Sequence, residues 1–383
     1  MDKNKFVPVK TAIVGCGSIS DIFFQNFTRR FQIIDLVKCC SKGGVSAEMK
    51  AQQYGVEKST LEEILADPEI ELIVNLTPAK QHYDIIKSAL EAGKHVYTEK
   101  VITPDFRRTQ ELIDIAENKG LLFGSEPDHF MGASWQCAAE YIEGGIIGNV
   151  TSIAASVCQN IGTIADRLQF VNEPAGGIGY DFGIYLITQL VSILGPAAEV
   201  SGVMTTQRPD RIHRDINYLD FTDGYIYENE DIVTASILFE NGTVAMIHLN
   251  GNSILEGPQN FWIYGTQGAL SMPLAANFSG EMKLYRVGSF EPLSIVPAHG
   301  FDHDSRGVGA AELAWALRLG RKPRTDAHLG LHCQEIIQGI EESFRTRKFY
   351  QMTTTCERPR PLPKGFRKGI PGFSFDEEGA LVL

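Results

Sequence analysis

A short run rich in β-branched residues, Thr11-Ala12-Ile13-Val14, breaks at Gly15-Cys16-Gly17-Ser18-Ile19-Ser20, and an amphipathic segment starts at Asp21. A strand that stops in a glycine turn and restarts as a helix is the opening of a βαβ unit. The same alternation continues. A helix is predicted over Asp21–Phe31, with Ile22, Phe23 and Phe27 inward, and a strand over Asp35–Cys40. Ser46–Tyr54 is helical in composition, Leu72–Leu76 is a buried strand, and His82–Ala92 is a helix. Val96–Thr98, a helix over Asp105–Lys119 and Leu121–Phe123 close the series. Strands this short and uninterruptedly apolar suit a parallel sheet covered on both faces.

After Gly124 the period changes. A helix over Ala133–Glu143 is followed by alternating segments at Ser152–Val157, Val200–Thr205, Ile232–Phe239, Val244–Leu249 and Phe261–Tyr264. Asn241-Gly242 marks a hairpin between two of them. Helices are expected over Ala310–Leu319 and His328–Arg345, then a Pro- and Gly-rich tail. The expected fold class is therefore α/β: an N-terminal dinucleotide-type parallel domain over 1–127, an α+β domain with an open, mostly antiparallel sheet over 128–357, and a tail over 358–383.

The 383 residues carry 35 Lys and Arg against 47 Asp and Glu, a net charge of −12. That balance argues against nucleic acid or an anionic membrane as a partner. No segment reaches the roughly 18 consecutive apolar residues of a membrane span. The opening MDKNKFVPVK has no signal-peptide pattern, and the seven cysteines form no CxxC pair. A cytoplasmic enzyme with free thiols and no metal is expected.

The GCGSIS turn fits a dinucleotide pyrophosphate. Gly15 permits the tight turn, Gly17 lets backbone approach the phosphates, and Ser20 is small enough for helix–strand packing. The N–H groups from Ser18 and Ile19 into the helix supply the positive dipole end. An acid at the end of the second strand would bond the ribose hydroxyls of NAD. The chain has Ser41 and Lys42 there, which leans toward NADP over NAD.

Glu99-Lys100 ends the strand Val96–Thr98, where ligands of open parallel sheets bind. A lysine there can bond a substrate hydroxyl and relay its proton. The glycine-rich stretch 176–185 places Asp181 and Tyr185 four residues apart on one helical face. Asp181 would position a hydroxyl-bearing substrate, and Tyr185 would transfer its proton. A cap role for Asp181 and a packing role for Tyr185 are the structural alternatives.

As a set, GCGSIS, NLTPAKQHYDIIKSALEAGKHVYTEK, GGIGYDFGIYLITQLVSILGP, IYGTQGALSMP and GRKPRTDAHLGLHCQEIIQGI resemble the glucose–fructose oxidoreductase / inositol dehydrogenase (Gfo/Idh/MocA) family over nearly the whole chain. The resemblance implies hydride transfer between NAD(H) or NADP(H) and a carbinol of a sugar, polyol or glycoside. It also implies dimers or tetramers joined through the open sheet. By the same resemblance Thr77, Pro78 and His82 match the loop past the nicotinamide ribose, Glu99 and Lys100 match the Glu-Lys-Pro motif, and Asp181 matches the acid of the substrate loop. Val101 stands where the motif has Pro, and Tyr185 where His is common. A tyrosine there needs a cation such as Lys100 to lower its pKa.

Further candidate substrate contacts are Asp128, His129, Asn160, Arg167, His299, His303 and Arg306. Two alternative functions share these motifs. One is a redox-neutral enzyme that passes through a 3-keto sugar on bound NAD. The other is an inactive dinucleotide-binding sensor.

Overall fold

The computed structural model describes residues 7–165, 168–212, 224–253, 259–362, 374–375 and 381–382. In chain order the elements begin with β1 Val9–Val14, α1 Ser20–Arg29, β2 Ile34–Cys40, α2 Val45–Tyr54, β3 Glu57–Lys58 and α3 Leu61–Ala66. They continue with β4 Leu72–Asn75, α4 Ala79–Glu91, β5 His95–Thr98, α5 Phe106–Asn118, β6 Phe123–Ser125 and α6 Ala133–Glu143. Next come β7 Val150–Cys158, α7 Ile161–Ala165, α8 Ile184–Leu194, β8 Ala197–Thr205, β9 Asp210–Ile212, β10 Gly224–Ile226, β11 Ile232–Phe239 and β12 Val244–Asn250. The series ends with β13 Asn260–Gly265, β14 Gly268–Ser271, β15 Met282–Arg286, β16 Leu293–Ile295, α9 Val308–Leu319, α10 Ala327–Thr346, β17 Tyr350–Gln351, β18 Ser374–Phe375 and β19 Leu381–Val382.

The chain forms two compact units. The first comprises Met1–Gly132, Ala298–Leu331 and Arg360–Leu383; the second comprises Ala133–Pro297 and His332–Pro359. The first unit thus takes in α9 and residues 360–362, which the sequence reading assigns to the later domain and the tail.

The first unit holds a six-stranded sheet in the order β3-β2-β1-β4-β5-β6, every pair parallel. The reversal at β1/β4 is the switch point of a doubly wound sheet. Its core is built from Ala12, Val14, Ile73, Val96 and Phe123 of the strands and Ile86, Leu90, Leu112 and Ile113 of α4 and α5. β6 begins two residues later than the periodicity predicts. Gly120 adopts a positive φ of 65° and the Leu121 N–H bonds back to Ala116 O, so residues 120–121 close α5. The short β3 and α3 escape the period argument, although Thr60 and Glu63 form a capping box.

The second unit holds a nine-stranded sheet in the order β16-β15-β14-β13-β7-β12-β11-β8-β17. All pairs are antiparallel except β12–β7. Burial alternates strictly along β11 and β12: Val233, Ala235, Ile237, Ala245, Ile247 and Leu249 are buried, while Val244 and Met246 are exposed. That alternation is the signature of a sheet with one covered face. The Asn241-Gly242 hairpin forms, with Gly242 at φ 84°, the Phe239 N–H donating to Thr243 O at 2.9 Å and Phe239 O accepting the Gly242 N–H at 2.9 Å.

Candidate active site

The glycine turn is built as the spacing predicts. Gly15 has φ 102°, and a Cβ there would lie 2.8 Å from the backbone of Leu76 and Thr77. The turn therefore sits directly on the exit of β4, and only glycine allows that approach. Gly17 is exposed and a Cβ on it would meet nothing within 4 Å, so one side of the turn is open. Ser20 is buried and its hydroxyl donates to Gly17 O at 2.6 Å. No side chain caps α1. The Ser20 N–H bonds Gly17 O at 3.1 Å, and α1 starts directly from the glycine turn, an arrangement that fits a pyrophosphate.

Ser41 is half-buried, and its hydroxyl accepts the Ser46 hydroxyl at 2.8 Å and the Ala47 N–H at 3.1 Å. It thereby shapes the entry to α2. Lys42 is exposed beside it.

His82 is completely buried, with Nε2 2.6 Å from Thr77 O and Nδ1 2.9 Å from Val101 O. It ties the loop after β4 to the loop after β5. Burial pushes its pKa down, and the carbonyl contacts oppose that. Thr77 donates to Asn75 Oδ1 at 2.7 Å, and Pro78 precedes the first residue of α4. Glu99 accepts the Lys100 N–H at 3.1 Å, and its own N–H bonds Asn75 O. Lys100 is half-buried at the carboxyl end of β5, and Val101 is buried across a cis peptide.

In the second unit Asp181 is buried within a wide π-type turn, Gly179–Gly183, that runs into α8. Such turns cluster at functional sites. Tyr185 is half-buried in the first turn of α8. The N-cap residue of α8 is Gly183, two residues after Asp181.

The sequence reading missed Glu230. Its carboxylate accepts the Gly179 N–H at 2.9 Å, and its carbonyl accepts the Ile178 N–H at 3.1 Å. Burial pushes its pKa up to about 7. A Cβ at Gly177 would run into the same carboxylate. Also missed is a buried group in this unit: Arg211 bonds Asp231 and Asn252, each at 3.0 Å, and lies 4.4 Å over the Tyr227 ring.

The remaining candidates scatter. Asp128 and His129 are fully buried, and Asp128 spends one oxygen on the N–H groups of Gly307 and Gly309. His299 is buried, His303 is exposed, and Arg306 pairs with Asp304. Asn160 bridges to Asn252. Arg167 lies outside the described residues. Among the described residues, three histidine or acid side chains converge at Glu126, Asp128 and His129, and not in the 299–304 loop.

Residues 9–126 match the model of an oxidoreductase family with an NAD-binding Rossmann fold, and residues 135–271 match the Gfo/Idh/MocA C-terminal domain. The chain belongs to the Gfo/Idh/MocA family. That family is one of oxidoreductases with an NAD-binding Rossmann fold, and sugar and polyol dehydrogenases are among the relatives of this chain.

An uncharacterised oxidoreductase of Schizosaccharomyces pombe is 31% identical over 205 residues, 52% of this chain and 56% of that one. The chain thus spans little more than half the length of this relative. A scyllo-inositol 2-dehydrogenase (NADP(+)) of Bacillus subtilis is 26% identical over 298 residues, 75% of this chain and 80% of that one. A solved levoglucosan dehydrogenase in complex with NADH superposes with a TM-score of 0.79 at 18% identity, covering 91% of this chain and 100% of that one. At that identity the likeness bears on the fold. No described helix is long and apolar enough to cross a membrane.

Proposed function

We propose that this chain transfers hydride between a nicotinamide cofactor and a secondary hydroxyl or ketone of a sugar, polyol or glycoside. The observation that carries the reading is the open Gly15–Gly17 turn in the same unit as a lysine at the end of β5. The turn and the N-terminus of α1 would hold the pyrophosphate, with Ser18 and Ile19 contributing backbone. The nicotinamide, when bound, accepts or gives the hydride.

The protein's own residues handle the rest. Lys100 bonds the reacting hydroxyl and keeps a positive charge beside it, which favours the alkoxide that forms as hydride leaves. Tyr185 takes or returns the hydroxyl proton. Asp181 fixes a neighbouring hydroxyl of the substrate, a polar contact suited to a polyol.

Ser41 and Lys42, with no acid at the end of β2, favour NADP. Seven free cysteines suit a reducing, cytoplasmic setting. The uncovered face of the large sheet, with Val203, Val244, Met246 and Tyr264 exposed among polar residues, suits association into a homo-oligomer.

The test is to denature protein purified without added cofactor, identify any dinucleotide released, and follow nicotinamide absorbance on a panel of sugars, polyols and glycosides. Turnover on one class should fall by about 10²–10⁴ in Lys100→Met and in Tyr185→Phe, with cofactor affinity kept. Full turnover in Lys100→Met removes the assignment. Aglycone release without net reduction of cofactor replaces it with the redox-neutral reading.

A further inference from the structure

In the first unit the turn after β6 buries two carboxyl groups against each other. Glu126 is 4% exposed and Asp128 is not exposed at all. A carboxylate oxygen from each and a ring nitrogen of His129 all fall within 4.8 Å. Two carboxylates this close and this dry cannot both be ionised.

The backbone distinguishes the two. Asp128 Oδ2 accepts N–H groups from Gly307 and Gly309, at 3.0 and 2.9 Å. Gly307 is the N-cap residue of α9, so the charge sits at the positive end of that helix. Glu126 Oε2 receives a single N–H, from Asp128 at 2.9 Å. Its Oε1 and Asp128 Oδ1 are buried and accept no N–H or hydroxyl hydrogen among the described residues. A proton between the two carboxyls satisfies those oxygens.

Other groups press on the pair from each side. β5 and the residues after it contribute Tyr97, Glu99 and Lys100. The segment before α9 contributes Arg306, itself paired with Asp304. Glu99 disfavours a second negative charge on either carboxyl. Burial, and after it the negative charge on Glu126 and Asp128, keep the Tyr97 hydroxyl protonated. Burial, and after it the charges of Arg306 and Lys100, holds His129, whose Nδ1 is 3.6 Å from Asp128 Oδ1, in its neutral form.

We propose that Glu126 and Asp128 hold one proton between them, Glu126 as the acid and Asp128 as the anion, and that the pair positions and charge-balances Lys100. The part concerning Lys100 rests on the function proposed above; the shared proton does not. The pair touches no reacting atom in this reading. It supplies one fixed negative charge behind the strand end that carries the lysine. Burial, then the Asp128 carboxyl and Glu99, push the Glu126 pKa well above the usual carboxylate range, and burial pushes that of Asp128 up to about 6.

The proton is read directly by infrared spectroscopy of the cofactor-free protein at pH 7. A buried carboxylic-acid carbonyl band should be present, and absent from Glu126→Gln. Loss of no band in Glu126→Gln overturns the assignment. So does a stoichiometric divalent cation in the purified protein, found by elemental analysis.

The role is read from the pH dependence of kcat/KM with NADP⁺ and the substrate the panel selects. Glu126→Ala should lower kcat at least about tenfold, and Glu126→Gln, which copies the protonated acid, should restore it to within about threefold. Asp128→Asn should move the profile by about one pH unit, the direction being toward easier loss of the Lys100 proton. A band that disappears in Glu126→Gln, with profiles and kcat unchanged in all three variants, keeps the shared proton and overturns its role. If no sugar turns over, the infrared result alone decides the proton. If Asp128→Asn does not fold, the Glu126 variants still decide both parts.

Discussion

The Glu230 carboxylate accepts the backbone N–H of Gly179 at 2.9 Å, and the turn that carries Asp181 is hung from that bond. The glycines of this stretch are required by contact. A Cβ at Gly179 would stand 2.9 Å from Glu230 Oε1, and one at Gly183 would stand 2.6 Å from Leu249 Cδ1. Gly177→Ala is expected to push the carboxylate off the turn, costing about 1–3 kcal/mol and most of the activity. Urea denaturation and steady-state kinetics check it. A variant with wild-type stability and kcat would show that the turn yields.

Glu230 also makes stability depend on pH. Its folded pKa is about 7, above the value of 4.5 in the unfolded chain. The folded state therefore binds more protons between those values, and the group's contribution to stability falls as pH rises from 4.5 to 7. Glu230→Gln keeps an acceptor for Gly179 and cannot ionise. Relative to wild type it should gain about 1–3 kcal/mol on going from pH 5 to pH 8. Parallel stability curves for the two proteins would contradict this origin.

His82 joins Thr77 O to Val101 O, so its loss should be felt in both loops. His82→Leu leaves buried carbonyls without partners and is expected to cost about 2–3 kcal/mol and to weaken NADP⁺ binding about tenfold. Calorimetric titration with NADP⁺ and thermal unfolding measure the two effects. Unchanged affinity in a destabilised variant would confine His82 to stability.

Lys42 is exposed beside Ser41, where a 2′-phosphate would be read. Lys42→Ala should lower the preference for NADP⁺ over NAD⁺ by about tenfold, as measured by the ratio of kcat/KM values, and lose most of its salt dependence. An unaltered ratio would return the choice of cofactor to Ser41 and the backbone.

Much of this molecule was legible in one dimension. The β1–Gly15–α1 junction, the strand-end Lys100 and the α8 stretch all rest on neighbours in sequence. Local periodicity and glycine chemistry are enough to place them. The alternating strands β11 and β12 show their covered face for the same reason. What was not legible involves partners far apart in the chain. Nothing in the local run Glu228-Asn229-Glu230-Asp231 shows that Glu230 bonds a glycine 51 residues away. Ser41 reads as a ligand donor, and in the fold its hydroxyl also braces α2.

Asp128 shows the division most clearly. Sequence alone marked Asp128 as a candidate substrate contact a few residues past the last parallel strand, because strand spacing and the alternation of elements are local. Only the tertiary structure decided that this acid is dry, faces Glu126 and receives the N–H groups of Gly307 and Gly309, some 180 residues later. Whether a carboxyl group is solvated or desolvated depends on which distant segment covers it, and no local pattern encodes that cover.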